Sequence, residues 1–449
     1  MSLSKVSPKL SKRVSTAIIN ALSSGVVPRV GLDHIAVGRD RELQMLKTDL
    51  DNIAGGGSAF RFVIGRYGAG KSFMLQLMRN TALNQGFVVA DADITPERRL
   101  VGSGGSGLAT YRELIHHLST KSRPDGGALS VILERWIAGI QTQVAQSSGK
   151  RPADDGFDDL VEEKIREVTK DVADLVNGFE FASVIIAYWS GYRNDDTDKK
   201  EAALRWLRGE FATRSESKAA LGVRVIIDDD TWYDYIKLMA KFVADIGYNG
   251  LIIMLDEAIH LAKIPASVTR QNNYDKLLAM FNDSMQGRVG HLGTLIGGTP
   301  QFLEDPRRGL FTDPAWQRRT SQSRLLAQSG VKDEIAPVIR LEPLSQKDLA
   351  KLLQRLTDVH QIHYAYESSL GAQDFQQVLK VVGDRMGSEA FLTPGEIVRD
   401  FVGVLNVLHQ NPQLSIAELL KLDPPKPKSG KTKTNTDIEV EADFAEFSI

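Results

Sequence analysis

Short, largely apolar runs recur along the chain and are spaced by longer segments with helical periodicity. Phe60–Ile64, Phe87–Ala90, Leu251–Leu255, His291–Ile296 and Val338–Leu341 have the length of strands. Leu251–Leu255 is apolar at every position, as a strand covered on both faces must be. Between the runs, apolar residues return at three- and four-residue intervals. Examples are Val14, Ile18, Ile19 and Leu22; Leu43, Leu46, Leu50 and Ile53; Met74, Leu75, Leu77 and Met78; and Leu349, Leu352, Leu353 and Leu356. That spacing puts each set on one face of a helix. Strands alternating with helices predict an α/β fold with a parallel sheet.

Residues 110–220 break the alternation. They read as successive helices, among them Tyr111–Leu118, Ala128–Val144, Asp158–Val176, Phe181–Tyr192 and Lys199–Leu207, with a further helix over Thr231–Ile246 capped by Asp228–Asp230. Their aromatics Trp136, Tyr188, Trp189 and Trp206 read as core. Pro265–Asn273 reads as a linker, and 423–437 (DPPKPKSGKTKTNTD) is a linker by composition. The last residues alternate apolar and acidic, which suits either strand addition to another sheet or a frayed acidic tail.

The apolar strand Phe60–Ile64 runs into Gly65-Arg66-Tyr67-Gly68-Ala69-Gly70-Lys71-Ser72, which has the P-loop spacing, and a helix follows. A loop that wraps a triphosphate must aim backbone N–H groups at the anion, and side chains would block the approach. Gly65, Gly68 and Gly70 keep the loop bare, with Tyr67, Ala69 and Phe73 completing it. Lys71 is expected on the β- and γ-phosphates and Ser72 on Mg²⁺.

The second motif is Leu251–Glu257, an apolar strand ending in Asp256-Glu257. Ligands of open α/β sheets sit at the carboxyl ends of strands. Asp256 is the expected metal-binding carboxylate, and Glu257 the base that polarises the attacking water. The alternative is an Asp cap with a solvated Glu. Far more chain separates Lys71 from Asp256 than the ~30 residues of a bare βαβ unit, so the helical stretch is an insertion in the core. Gly102, Gly104 and Gly107 form a second Gly-x-Gly-x-x-Gly, but Asp91-Ala92-Asp93 and Pro96 separate it from the preceding strand, which argues against a second nucleotide site.

Further along, the strand at 291–296 leads to Thr299, and Arg307, Arg308, Arg318, Arg319 and Arg324 cluster in a Gly/Pro-punctuated segment. Ser345-x-x-Asp348 and Thr393-Pro394-Gly395-Glu396 are helix-opening signatures. Arg399 follows one turn inside the second helix.

With 449 residues, several packed units are expected. A net charge of −2 does not mark a nucleic-acid binder and does not exclude a local basic patch. No cysteine is present, which removes disulfides and thiolate catalysis. No run approaches about 20 apolar residues, and 1–20 lack a secretory core, so a cytoplasmic protein without membrane contact is expected.

A Val-Gly-Arg turn, a helix, the P-loop, the Asp-Glu strand and a later helical region span about residues 30–420 and resemble the AAA+ ATPases, in particular the origin-recognition-like and signalling-ATPase branches. The long insertion, the GRYGAGKS loop, LDE and GGTPQF look most like the ATP-binding proteins of bacterial BREX-type phage-defence systems. The resemblance implies a P-loop NTPase (AAA+) sheet with a helical insertion and a C-terminal helical lid. The expected divisions are 1–34, an N-terminal helical segment; 35–345, the ATPase core with insertion 96–247; 346–422, the lid; and 423–449, a flexible tail. It implies that Ile35, Val37 and Gly38 line the base, an ordinary helix N-terminal turn being the alternative, and that Thr299 reads the γ-phosphate, a turn threonine being the alternative. It also implies that Arg399 touches the γ-phosphate from the lid, an exposed helix arginine being the alternative. Arg318 and Arg319 are the preferred arginine-finger candidates, a basic loop facing solvent, DNA or an acidic partner being the alternative.

The function so implied is Mg²⁺-dependent ATP binding and hydrolysis in an oligomeric, DNA-associated motor or loader of anti-phage defence, with a helicase or other effector as partner. A slow-turnover nucleotide-gated switch that recruits such an effector is the second reading. The Asp-Glu pair argues against a small-molecule kinase.

Overall fold

The structure is a computed structural model and describes residues 10–102, 104–173, 175–320, 333, 335–386 and 393–421. Three helices, α1 (Lys12–Ser23), α2 (Leu32–Ile35) and α3 (Asp40–Ala54), precede β1 (Ser58–Ile64), which is followed by α4 (Lys71–Asn84) and β2 (Val88–Asp93). Seven helices then intervene: α5 (Ser106–His116), α6 (Leu129–Ser148), α7 (Phe157–Ala173), α8 (Gly178–Arg193), α9 (Thr197–Leu207), α10 (Arg214–Leu221) and α11 (Trp232–Asp245). The chain returns to the sheet as β3 (Leu251–Asp256), passes through α12 (Ile259–Ala262) and α13 (Ser267–Met285), and forms β4 (Leu292–Gly298). After α14 (Pro300–Glu304), α15 (Pro314–Thr320) and β5 (Val338–Arg340) come α16 (Gln346–Tyr364), α17 (Ala372–Met386), α18 (Pro394–Gln410) and α19 (Ile416–Lys421). The expected tail 423–437 and its acidic end, and Arg324, lie outside the described residues.

The five strands are all parallel, in the order β2-β3-β4-β1-β5. Alternation along each strand divides the core. Phe60, Phe62, Ile64, Ile253 and Leu255 face the insertion helices, α13 and α15. Ala59, Val63, Ile252, Met254 and Leu295 face α3, α4 and the C-terminal helices. Burial on both faces is why these strands read as apolar runs. On the first face Phe62 meets Trp316 of α15 edge to face at 5.4 Å, and Phe281 of α13 meets Trp316 at 5.3 Å. The insertion aromatics Trp136, Tyr188, Trp189 and Trp206 are all buried, as expected.

One expectation changes. Pro265–Asn273 is largely not a linker: α13 begins at Ser267. Its first turns carry no apolar stripe because tertiary hydrogen bonds hold them. Arg270 Nη1 donates to the Ile264 carbonyl at 2.7 Å. The buried Asn273 side chain accepts from the Leu100 and Val101 N–H groups and donates to the Val101 carbonyl. Helix α1 forms as the periodicity of Val14, Ile18, Ile19 and Leu22 predicts. It packs on α16 and α18, and its Ser15 Oγ lies 3.2 Å from His363 Nδ1 of α16. The helix-opening signatures at Ser345 and Thr393 form complete capping boxes, opening α16 and α18.

Candidate nucleotide-binding site

Where β1 ends, the Gly65 N–H donates to the Gly298 carbonyl of β4 at 3.1 Å, and the chain leaves the sheet as a loop. Gly68 and Gly70 take φ values of 75° and 85°. A side chain in that region costs about 1–2 kcal/mol, which is the reason for glycine there. α4 starts at Lys71, so the unsatisfied N–H groups of its first turn and its positive dipole end face the loop.

β3 ends next to this loop, with β4 between β3 and β1. Lys71 Nζ lies 3.5 Å from Asp256 Oδ1 and 3.7 Å from Glu257 Oε1. Ser72 Oγ is 3.5 Å from Asp256 Oδ2. The two acids, the lysine and the serine of the two motifs therefore meet at one point, where the ammonium occupies the ground between the carboxylates. Ser72 and Asp256 are hard oxygen donors, the kind that suits Mg²⁺ completed by phosphate and water. No cluster of three or more His, Cys, Asp or Glu side chains that could hold a metal by itself occurs among the described residues.

Glu257 has φ of +57°, in the left-handed region normally left to glycine. Its N–H donates to Asp256 Oδ1 at 2.8 Å, and the next N–H, of Ala258, donates to the Gly297 carbonyl at 2.9 Å. These bonds hold the turn that sends Glu257 toward Lys71, and strain of this kind collects at functional sites. Gly297 itself leaves room for Asp256: a Cβ there would sit 2.2 Å from Asp256 Oδ1. Thr299, one residue past the end of β4, is 1% exposed and its Oγ1 has no protein partner. A buried hydroxyl without a partner beside the cradle is a vacant donor and acceptor.

A cavity of about 260 Å³ adjoins the loop. Tyr67, Gly68, Ala69, Gly70, Lys71, Ser72 and Phe73 line it, with Glu257, Ile35 and Val37. Its far side is apolar and comes from two regions distant in sequence: Val26, Val27 and Pro28 after α1, and Leu352 and Val398 of α16 and α18. An anion cradle opening into an apolar slot is a nucleotide-shaped arrangement. A family profile, that of the BREX system ATP-binding protein BrxC/D, matches residues 10–424. The chain belongs to this family. Binding of ATP in a BREX system follows from that membership. No curated protein matches the chain.

Other residues singled out from the family member's sequence are distributed as follows. Gly38 and Gly65 do not line the cavity. Gly38 (φ 63°) lets its turn approach Asp348 of α16, whose carboxyl carbon would lie 2.9 Å from a Cβ there. Gly65 packs against Ala69 and Leu341. Arg399 does not line the cavity; it runs past Gly25 and pairs with Asp400 at 3.4 Å on the surface. Arg318 and Arg319 also lie away from it. Arg319 Nε donates to Asn282 near the end of α13, and the nearby Ser284 carbonyl accepts from Ser58 at the start of β1. That is the amino end of the sheet, opposite the P-loop. The second glycine pattern is not an anion site: the Asp229 carboxylate takes the Gly105 and Leu108 N–H groups at the start of α5.

Sequence reasoning missed three contributors. Arg39 is buried and donates from Nη2 to the Ala69 carbonyl at 2.9 Å. Burial lowers its pKa, and the charges of Glu42, Asp348 and Glu342 oppose that shift. Asp93 ends β2 in register with Asp256. Burial raises its carboxyl pKa, and Asp256 and Glu257 raise it further. An acid at the carboxyl end of an apolar run was the available signal. The segment after α1 gave none, because its place at the cavity depends on how α1 packs. No helix among the described residues is long and apolar enough to cross a membrane.

Proposed function

We propose that this protein is a Mg²⁺-dependent ATPase of AAA+ type that acts in anti-phage defence. The observation that carries the reading is the approach of Lys71 to both Asp256 and Glu257, at 3.5 and 3.7 Å. In this reading the backbone of 65–70 and the start of α4 bind the β- and γ-phosphates with Lys71. Ser72 and Asp256 would hold Mg²⁺, which would neutralise phosphate charge there. Glu257 accepts a proton from water as the water oxygen bonds to the γ-phosphorus. The bond from that phosphorus to the bridging oxygen breaks, giving ADP and inorganic phosphate. Thr299 donates to a γ-phosphate oxygen. The apolar slot takes the base against Ile35 and Val37.

The division proposed for the chain is an N-terminal segment (1–34), an ATPase core (35–345) with insertion 96–247, a lid (346–422) and a tail (423–449). Arg318 and Arg319 lie far from the cradle of their own chain, so a role for them is one across subunits in an oligomer. Arg399, on the lid near Gly25, reaches phosphate only if the lid closes further. Duplex DNA and a helicase or other effector are the proposed partners, and the cytoplasm the proposed compartment. The second reading, a slow nucleotide-gated switch, is favoured by the contact of the lid with the P-loop: a Cβ on Gly68 would fall 2.2 Å from Thr393 Cβ.

Phosphate release measured with and without duplex DNA, beside mass photometry under the same conditions, separates the two. The motor reading expects multiple turnovers, faster with DNA, and ATP-dependent assembly. Bound nucleotide that survives purification, with less than one turnover per chain, supports the switch. Absence of nucleotide binding overturns both.

A further inference from the structure

The P-loop peptides leave one question of mechanism: what orients them before a phosphate arrives. A trans peptide carries its C=O and the following N–H on opposite sides, and no cis bond occurs among the described residues. Whatever grips the Ala69 carbonyl therefore turns the Gly70 N–H the other way, and Gly70 itself takes a φ of 85°. Arg39 grips it, with Nη2 2.9 Å from the Ala69 oxygen. The guanidinium is fixed in turn by its burial and by Glu42, 3.8 Å from Nη1 and only 14% exposed. Resting on the ATP-site reading above, we propose that Arg39 is a positioning residue that pre-sets the phosphate cradle by holding the Ala69 carbonyl. The planar fork can serve Ala69 and Glu42 at once, which a lysine ammonium on a flexible stem does less well. The same turn touches the lid: Gly38 abuts Asp348 and Leu344. Arg39 thus stands where core, P-loop and lid meet.

The test titrates ATP, inorganic tripolyphosphate and adenosine into the full chain and into Arg39→Gln and Arg39→Lys. It also compares amide hydrogen exchange over residues 66–71 without nucleotide. In Arg39→Gln, ATP and tripolyphosphate weaken by a common factor on the order of 10, the loss of one charged hydrogen bond, while adenosine is unchanged. Exchange over 66–71 quickens and other segments keep their rates. Arg39→Lys recovers part of the affinity. Equal affinity for tripolyphosphate in wild type and Arg39→Gln overturns the proposal, as does an equal loss for adenosine. If Arg39→Gln does not fold, Arg39→Lys decides it: unchanged exchange over 66–71 overturns the proposal. If the wild-type chain binds no ATP, the site reading fails, and the exchange comparison still decides whether Arg39 orders the loop.

Discussion

Replacing Gly297 with alanine adds one methyl group to a buried strand and changes nothing else in the chain's chemistry. Gly297 has no positive φ, so the backbone tolerates alanine. The space does not: the added carbon falls 2.2 Å from Asp256 Oδ1, 2.8 Å from Asp256 Cγ and 3.0 Å from Leu75 Cδ1. Carbon–oxygen contacts close at about 3.3 Å, so the carboxylate must retreat by roughly 1 Å. That movement strains the bond from the Glu257 N–H (2.8 Å) and shifts the carboxylate relative to Lys71 and Ser72 (3.5 Å each). Overpacking of this kind costs about 1–3 kcal/mol. Drawn from metal coordination, it is about 5–150-fold in the Mg²⁺-dependent part of ATP affinity. Calorimetric titration with ATP in Mg²⁺ and in EDTA measures that part directly. The expected result is a loss confined to the Mg²⁺ titration, with turnover down by about 10². A full Mg²⁺ increment in Gly297→Ala refutes the reasoning, because Asp256 would then not be the metal's carboxylate.

Two further outcomes follow from the same geometry. Glu257→Gln keeps the backbone bonds of the strained turn but removes the proton acceptor, so ATP binding persists while phosphate release falls by about 10²–10⁴; unchanged turnover in a steady-state assay removes Glu257 from that role. His360, between Tyr366 Oη (2.9 Å) and Asn406 Oδ1 (3.1 Å), has its pKa lowered by burial from 6.5. The unfolded chain then binds the proton first as pH falls below about 6.5, so thermal stability drops through that range, and His360→Gln flattens the slope of the melting curves against pH.

Local spacing made the candidate site legible. The P-loop and the Asp-Glu strand announce themselves within a dozen residues each, and the parallel sheet follows from runs that are apolar on both faces. Capping boxes at Ser345 and Thr393 were readable for the same reason. What escaped depends on tertiary placement. Nothing in the residue type marks Glu257 for a left-handed backbone. Arg39 and Ala69 are 30 positions apart, and their bond exists only because the turn before α3 is brought beside the loop by the fold. The start of α13 looked like a linker because Ser267–Asn273 is polar, and its helix is held by hydrogen bonds to other segments rather than by an apolar stripe. Val26–Pro28 joined the cavity only once α1 was seen on α16 and α18.

The most direct measurement is calorimetric titration of ATP with Mg²⁺ into the wild-type chain and into Lys71→Ala, with circular dichroism to verify that both are folded. Loss of detectable binding in a folded Lys71→Ala is the predicted result. Undiminished affinity would put the triphosphate somewhere other than between Lys71 and the acids that end β3.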